Sequence, residues 1–187
     1  MSDKFIVKKS NIEGNGIFAI APIKNGEPIC VFQGERLSID QLREKFRNGE
    51  ERISDPLQIG DKEYLDLDEP YLFFNHSCQP NAAIIDGPTL IAIRDIENQE
   101  EITFDYSTTE WTDDSFAEWM DPRRKDYQEW SIKCSCGAPS CRGQIGIFPS
   151  LPKNQQDDYI KRGLVQGFIV RKYEEASKKN VLGKYEI

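Results

Sequence analysis

Polar side chains with chemical capability are concentrated in residues 75–81, directly after the apolar run 71–74. These seven positions hold side-chain amides, the only histidine (His76) and a cysteine (Cys78). The run 71–74 is interpreted as a buried strand, and polar groups this dense beside a strand indicate a functional site. A second polar segment, 101–106, ends in an aspartate and a tyrosine and is predicted to complete that site.

Four of the five cysteines have a spacing typical of a metal site. Cys134, Cys136 and Cys141 follow the pattern Cys-x-Cys-x4-Cys, and Cys78 supplies a fourth thiol from a distant region. Four soft thiolates favour zinc held without an open coordination position, which is a structural role. Free thiols or a disulfide are the alternative. Cys30 lies in an apolar segment and is predicted to be a core residue.

The length of 187 residues suits one domain with a helical extension. No apolar stretch approaches the roughly 20 residues of a membrane-spanning helix, and the first residues have no apolar signal-peptide core. We therefore expect an intracellular protein, cytoplasmic or nuclear, that is not secreted. Reducing conditions there favour a metal over disulfides for an odd count of five cysteines.

The negative charge of the chain is concentrated in residues 97–129. This segment holds eleven carboxylates against three cations, which accounts for the whole net charge of -8. Such a surface repels phosphate backbones and attracts cations, so we expect a Lys-rich or basic protein partner and no direct nucleic-acid binding. The alternative is a solvated loop that only improves solubility.

The elements that must position these groups are predicted to be short strands and turns. Residues 5–34 alternate short apolar segments with turn residues. Ser38 and Gln41 form a capping box, which predicts a short helix. Two hairpins are predicted, with turns at 60–61 and 86–88.

Beyond residue 152 the pattern becomes helical. Apolar residues recur every four or five positions along one face, which predicts helices that pack on the domain. Gly163 and Gly167 each cost about 1 kcal/mol inside a helix, so a break or a close contact is predicted there. The apolar face consists of Tyr159, Ile160, Leu164, Phe168, Ile169 and Tyr173.

Taken in order, the motifs resemble those of the SET-domain protein-lysine methyltransferases over most of residues 5–148. Residues 75–81 match the family pattern Asn-His-Ser-Cys-x-Pro-Asn almost letter for letter, and 100–106 is similar to Glu-Glu-Leu-Thr-Phe-Asp-Tyr. Residues 14–19 resemble the opening Gly-x-Gly turn of the family, and 134–143 is similar to its zinc-binding post-SET tail. The ordered combination is much more specific than any one motif.

The resemblance implies a mostly β fold with short helices, the SET-domain β-clip with a pseudoknot, and the helical pattern adds a C-terminal extension. The chain is thus divided into a SET domain (1–130), a post-SET zinc-binding segment (131–148) and a C-terminal helical extension (149–187). Residues 107–130 would be an acidic, tryptophan-containing insertion in the SET domain. The implied cofactor is S-adenosylmethionine, bound on the opposite face from the substrate lysine with a narrow channel between them.

The implied reaction is methyl transfer to the side-chain amine of lysine in a basic protein, a histone or another Lys-rich target. The attacking amine must be neutral, although its ordinary pKa is about 10.4, so the site has to desolvate and align it. The resemblance assigns the catalytic phenol to Tyr106. Phe104 lies on the same face of an extended chain, and phenylalanine at that position implies di- or trimethylation. The alternative for Tyr106 is a core tyrosine at a strand end.

The resemblance also implies a cofactor-binding set. Gly14 and Gly16 would let backbone approach a ligand closely, and His76 would contact the cofactor or else be a hydrogen-bonded structural histidine. Ile145 and Phe148 would supply apolar cover for the adenine. The implied set is Gly14, Asn15, Gly16, Ile17, Asn75, His76, Tyr106 and Ile145.

Two positions depart from the family pattern. Leu72 stands where an arginine is common, which removes one polar contact to the cofactor. Residues 57–59 lack a channel tyrosine found in many members, and Tyr64 or Tyr71 is expected to substitute.

The acidic insertion is predicted to steer a cationic peptide towards the channel, with a tryptophan packed on the peptide. Two other functions stay open: a catalytically weak SET module that binds cofactor or partner, and a zinc-dependent scaffold without cofactor. The sequence does not specify the substrate protein or the oligomeric state. The residues of the steering hypothesis are Glu110, Asp113, Asp114, Glu118, Trp111 and Trp119.

Overall fold

The computed structural model describes residues 4–49, 55–111 and 131–182. Short strands predominate in the first two segments, and helices close the third. The strands are β1 (Phe5–Lys9), β2 (Asn15–Ala19), β3 (Pro28–Val31), β4 (Gly34–Ser38), β5 (Leu57–Gln58), β6 (Glu63–Leu67), β7 (Ala82–Asp86), β8 (Thr89–Ala92), β9 (Ser131–Lys133) and β10 (Gln144–Gly146). The α-helices are α1 (Ile39–Asn48), α2 (Lys153–Lys161) and α3 (Gly167–Leu182), and short 3-10 turns cover Tyr71–Phe73, Tyr106–Thr108 and Phe148–Ser150.

The strands of the described residues form small antiparallel sheets with the orders β1-β2, β3-β8-β7, β4-β6-β5 and β9-β10. The main hydrophobic core lies between the first three of these sheets and includes Ile17, Ile84, Leu90 and Ile102, each with no exposed surface. Mostly β architecture with short helices is therefore confirmed.

Local sequence signals correctly predicted several elements. Ser38 and Gln41 form the capping box of α1, with both reciprocal hydrogen bonds present. Gly49 ends that helix at φ 70°, a left-handed conformation that glycine adopts without strain. The two predicted hairpins are β5-β6 and β7-β8, which pair Leu57 with Leu65 and Ala82 with Ala92.

The apolar run 71–74 is not a strand, so that prediction was wrong. Tyr71–Phe73 is a 3-10 turn, in which the backbone N–H of Tyr71 donates to Asp68 and that of Phe73 to Pro70, at 2.8 and 3.0 Å. Local bonds thus satisfy the backbone without a neighbouring strand. Only Phe74 is fully buried, because a turn presents successive side chains to different surroundings.

The predicted C-terminal helices are present, with the predicted break between α2 and α3. Gly163 has φ +65°, and Gly167 is the first residue of α3. The two helices pack through Tyr159 and Phe168 around Phe148, in a second hydrophobic core. In the part of the chain described, no helix combines the length and apolar character needed to cross a membrane.

Candidate active site

The two polar segments recognised in the sequence lie side by side. The backbone N–H of Ser77 donates to Phe104 at 3.1 Å, and that of Phe104 donates to Asn75 at 3.3 Å. His76 and Phe104 form a parallel bridge. The side chain of Asn81 fixes the second segment, since its oxygen accepts the Thr103 N–H at 2.8 Å. We call this pairing of residues 75–77 with residue 104 the crossing. It brings residue 106 next to the polar residues around position 76.

Tyr106 lies at the centre of the site as a neutral phenol. Its ring packs against Phe104 and His76, at centroid distances of 4.8 and 5.4 Å. Its hydroxyl donates to the Phe74 carbonyl at 2.7 Å, so the oxygen lone pairs are what it can offer to a ligand. Burial raises its pKa well above the ordinary value, and nearby carboxylates raise it further.

A partly open cavity lies on one side of Tyr106. Phe104 and Tyr106 both line it. This agrees with the prediction that their side chains share one face of the chain. Tyr64 and Tyr71, the expected substitutes for the missing channel tyrosine, also line it. Leu72 faces this cavity as well. Aromatic walls of this kind suit the alkyl stem and the charge of an alkylammonium group.

Two carboxylates, Asp55 and Glu110, lie in the same cavity wall. Burial raises the pKa of Glu110 to about 8, although a hydrogen bond from the Gln58 backbone lowers it in part. The steering hypothesis required Glu110 to lie on a solvated acidic surface. Glu110 instead lies in the wall of this cavity.

Trp111 likewise differs from its predicted role as a peptide-packing residue. Its ring stacks on Phe148, with centroids 6.0 Å apart and an interplanar angle of 25°. Trp111 is thus half-buried and packs against the second core, which the C-terminal helices share. Four residues of the steering hypothesis lie outside the described residues: Asp113, Asp114, Glu118 and Trp119.

Asn75 joins the glycine turn to the crossing. Its side-chain N–H groups donate to the carbonyls of Glu13 and Asn15, at 3.2 and 2.9 Å, and to the Glu101 carboxylate at 2.8 Å. The Ser10 hydroxyl donates to the same carboxylate at 2.8 Å. The turn predicted to contact the cofactor and the polar segment 75–81 are therefore neighbours.

The two glycines of this turn have different roles. Gly14 has φ +48°, which favours glycine, and an added Cβ would meet open space. At Gly16 an added Cβ would lie 2.2 Å from a Glu101 carboxylate oxygen. Gly16 therefore makes room for a side chain of the protein itself, whereas a ligand was the expected reason.

The three apolar residues predicted near the cofactor lie in three different places. Ile145 is buried against Tyr106 and the cysteine cluster, so it borders the site. Ile17 is fully buried in the main core, so only its backbone can face a ligand. Phe148 is fully buried in the second core, so the prediction that it covers the adenine was wrong.

Sulfur atoms from the two cysteine regions converge. Among the described residues, the ligand atoms of His76, Cys78, Cys134 and Cys136 lie within 4.8 Å of one another. The sulfur atoms of Cys78 and Cys134 are 3.7 Å apart, close to the edge of about 3.8 Å of a tetrahedron with zinc–sulfur bonds of about 2.3 Å. Cys141 packs in the same cluster. The donor set and this spacing fit zinc.

Backbone N–H groups point at these sulfur atoms. Cys78 donates to Cys136 at 3.5 Å, Arg142 to Cys78 at 3.4 Å and Gly143 to Cys141 at 3.4 Å. Such donors stabilise thiolates, the form that binds a metal. At Cys136, burial acts to raise the pKa, but hydrogen bonds from backbone and neighbouring thiols outweigh it and leave the pKa at about 7.

The hydrogen bonds of His76 indicate whether it would bind the metal itself or support a cysteine that does. Burial is the main cause that lowers its pKa to about 4, so the ring is neutral near pH 7. Its Nδ1 accepts the Tyr106 backbone N–H at 3.2 Å, which leaves the proton on Nε2, 3.3 Å from the Cys78 sulfur. In this tautomer His76 donates to the Cys78 sulfur, whose pKa burial raises to about 11. Cys141, which packs against the cluster, is then the candidate for the fourth ligand.

Asp105 belongs to a buried ionic network behind Tyr106 that was not predicted from the sequence. The Asp105 carboxylate is 1% exposed and receives two hydrogen bonds from the Arg142 guanidinium, at 2.7 and 2.8 Å. The Tyr159 hydroxyl donates to it at 3.0 Å. These contacts tie the cysteine-rich tail and helix α2 to the catalytic candidate. Asp105 and Arg142 lie within recognised motifs, but no signal in the sequence paired them or linked Tyr159 to them.

The sequence model described as SET domain matches residues 14–107. A histone-lysine N-methyltransferase, H3 lysine-4 specific, from Candida albicans is 31% identical over 150 residues, which is 73% of this chain. Histone-lysine N-methyltransferase ASHH3 from Arabidopsis thaliana is 29% identical over 166 residues, or 78% of this chain. The chain spans 13% and 39% of the lengths of these two relatives.

A solved structure described as ctPRC2 in an autoinhibited conformation bound to S-adenosylmethionine is similar in fold. Its TM-score is 0.50 at 25% identity, and the match covers 58% of this chain and 16% of that chain. The predicted fold class is confirmed.

Proposed function

Because this chain belongs to the SET-domain family, we propose that it transfers methyl groups from S-adenosylmethionine to the side-chain amine of lysine in a basic protein. Histones are the proposed substrate class, since the relatives reported above are named histone-lysine methyltransferases. The proposal implies action inside the cell, where histones and reduced cysteines occur.

The observation that carries the proposal is the position of Tyr106 between two different environments. On one side lies the aromatic cavity with Phe104, which suits a desolvated lysine. On the other side lie His76 and Ile145, next to the turn that Asn75 holds. A phenol at this point can accept a hydrogen bond from the amine without adding charge to the site.

The chain binds and orients the two reactants and desolvates the lysine amine. It does not supply a nucleophile of its own. S-adenosylmethionine, when bound, supplies an electrophilic methyl group on a sulfonium. The residues proposed to hold it are Gly14, Asn15, Asn75, His76, Ile145 and the ring of Tyr106, together with backbone groups of Gly16 and Ile17. The neutral Tyr106 aligns the amine, and alignment of two reactants accounts for a large part of such rate enhancements.

The cysteine cluster is proposed to bind a structural zinc ion through Cys78, Cys134, Cys136 and Cys141. His76 would support this site through its Nε2–H group, and its Nδ1 contacts the backbone of Tyr106. The metal would therefore stabilise both the tail and the residue next to the reaction.

The test is methyl transfer from labelled S-adenosylmethionine to recombinant histone H3, with mass spectrometry of the modified lysine. We expect transfer, with dimethyl or trimethyl product because Phe104 leaves this wall of the cavity without a hydroxyl. The matched control Tyr106→Phe should lose about 100-fold in rate while calorimetry shows unchanged cofactor binding. Cofactor binding without transfer to any histone would favour the weak-module alternative, and neither binding nor transfer would contradict the proposal.

A further inference from the structure

Glu110 differs from the other carboxylates of the site in its surroundings. It lines the same cavity as Phe104 and Tyr106 and is only partly accessible. Within residues 4–49, 55–111 and 131–182, no Lys, Arg or His side chain forms an ion pair with it, and the Gln58 backbone donates a hydrogen bond to it. By contrast, Asp105 is paired with Arg142.

The backbone around Glu110 is held firmly by three elements. The Glu110 carbonyl accepts the Phe148 N–H at 2.7 Å. The Gln58 side chain bonds both backbone groups of Trp111, accepting at 2.8 Å and donating at 3.3 Å. Gln166 of the segment before α3 donates to the Gln58 carbonyl at 2.7 Å. The backbone that carries Glu110 is thus fixed at the wall of the cavity that Glu110 lines.

We propose that Glu110 accepts the proton that the substrate lysine must lose before it is methylated. This inference rests on the proposed function. The ammonium group passes one proton to the carboxylate, which gives a neutral amine and a carboxylic acid. The amine lone pair then forms the nitrogen–carbon bond to the methyl group while the carbon–sulfur bond breaks. The products are a protonated methylated amine and a neutral thioether.

Desolvation drives this transfer. In water a carboxyl and an amine differ by about six pKa units, from about 4.3 to about 10.4. Burial has already moved the pKa of Glu110 up to about 8, and the same cavity would lower that of the lysine. After transfer both partners are neutral, so neither has a charge to desolvate.

Other titratable groups face this cavity, and their contributions to the pH dependence must be distinguished from that of Glu110. They are Asp55 and the phenols of Tyr64, Tyr71 and Tyr106. Burial raises the pKa of Tyr71 and Tyr106, so both stay neutral below pH 9. Asp55 is the other carboxylate and is therefore the matched control.

The experiment is the pH dependence of kcat/KM for histone H3, measured for the full chain and for Glu110→Gln. For the unmodified chain we expect kcat/KM to rise with pH up to about 8, where Glu110 becomes ionised. In Glu110→Gln the rise should move towards the lysine value of about 10.4, with a loss of about 100-fold at pH 8. Asp55→Asn should keep the inflection near 8, whatever its effect on the rate.

An unchanged inflection in Glu110→Gln, with a uniform loss of rate, would overturn the inference and leave Glu110 a structural role. Glu110→Asp keeps a carboxylate and should keep the sigmoid shape, which separates the chemistry from folding defects. Carbon-13 NMR of glutamate-labelled protein gives an independent readout: one carboxyl should titrate near pH 8 and be missing in Glu110→Gln. Absence of transfer by the unmodified chain at every pH would contradict the proposed function itself, and this inference with it.

Discussion

Glu110, on the cavity side of Tyr106, has different surroundings from two carboxylates on the opposite side. On the side of the crossing, Glu101 accepts bonds from Ser10 and Asn75, and Asp105 is paired with Arg142. On the cavity side, Glu110 has a backbone donor and a raised pKa. Paired carboxylates hold geometry, whereas a carboxylate without a cation in a buried site is poised to exchange a proton.

This difference gives each side a separate role in the proposed reaction. On the crossing side, hydrogen bonds fix the side chains of residues 75, 76 and 106 against nearby backbone groups. The cavity side leaves space and a titratable group for the substrate. Changes on the first side should therefore affect stability and cofactor binding, and changes on the second should affect pH dependence.

Removal of the metal should break the crossing side most severely. A structural zinc ion contributes about 10 kcal/mol or more to the folding of small zinc modules. We expect a single zinc ion per chain and its loss in Cys141→Ser. The tail should then detach from Tyr106, with cofactor affinity reduced by at least about tenfold. Metal content is measured by mass spectrometry, and affinity by calorimetry.

Two control variants sharpen this prediction. Cys30→Ala should keep the zinc ion, because Cys30 lies in β3 and packs against the main core. His76→Ala should keep it as well, if His76 donates to Cys78 rather than binding the metal. Full metal content in Cys141→Ser with loss in His76→Ala would reverse the ligand assignment.

Asp105→Asn should give the next largest effect. The substitution leaves the Arg142 guanidinium, whose side chain is 14% exposed, without its charge partner. Breaking a buried ion pair on one side costs about 3–5 kcal/mol. Urea denaturation should show this loss in the free energy of unfolding.

Tyr159→Phe is the milder change in the same network. It removes one hydrogen bond to a charged group, worth about 1.5–3 kcal/mol, and leaves the ion pair intact. Equal losses for Asp105→Asn and Tyr159→Phe would contradict the view that the ion pair dominates this network.

Sequence reasoning succeeded where the signal was local. The capping box at Ser38 and Gln41 and the two hairpins depend on neighbouring residues, and all were correctly predicted. The alternation of an extended chain also predicted that Phe104 and Tyr106 share a face, and their rings are 4.8 Å apart.

The rest depended on contacts between distant parts of the chain. Nothing near Glu110 in the sequence indicates that Gln58 and Phe148 enclose it. A run of acidic residues is normally solvated, so the same letters predicted a steering surface. The prediction of a strand at 71–74 was wrong for a similar reason, because apolar character alone does not distinguish a strand from a packed turn.

The most direct test of the account is a structure of the chain with S-adenosylhomocysteine and a histone H3 peptide. We predict that the cofactor contacts Asn75 and His76, and that the target lysine enters the cavity beside Phe104 and Glu110. The Tyr106 hydroxyl should lie between them, next to the lysine nitrogen. A lysine bound outside this cavity, or a cofactor that occupies it, would contradict the central claim.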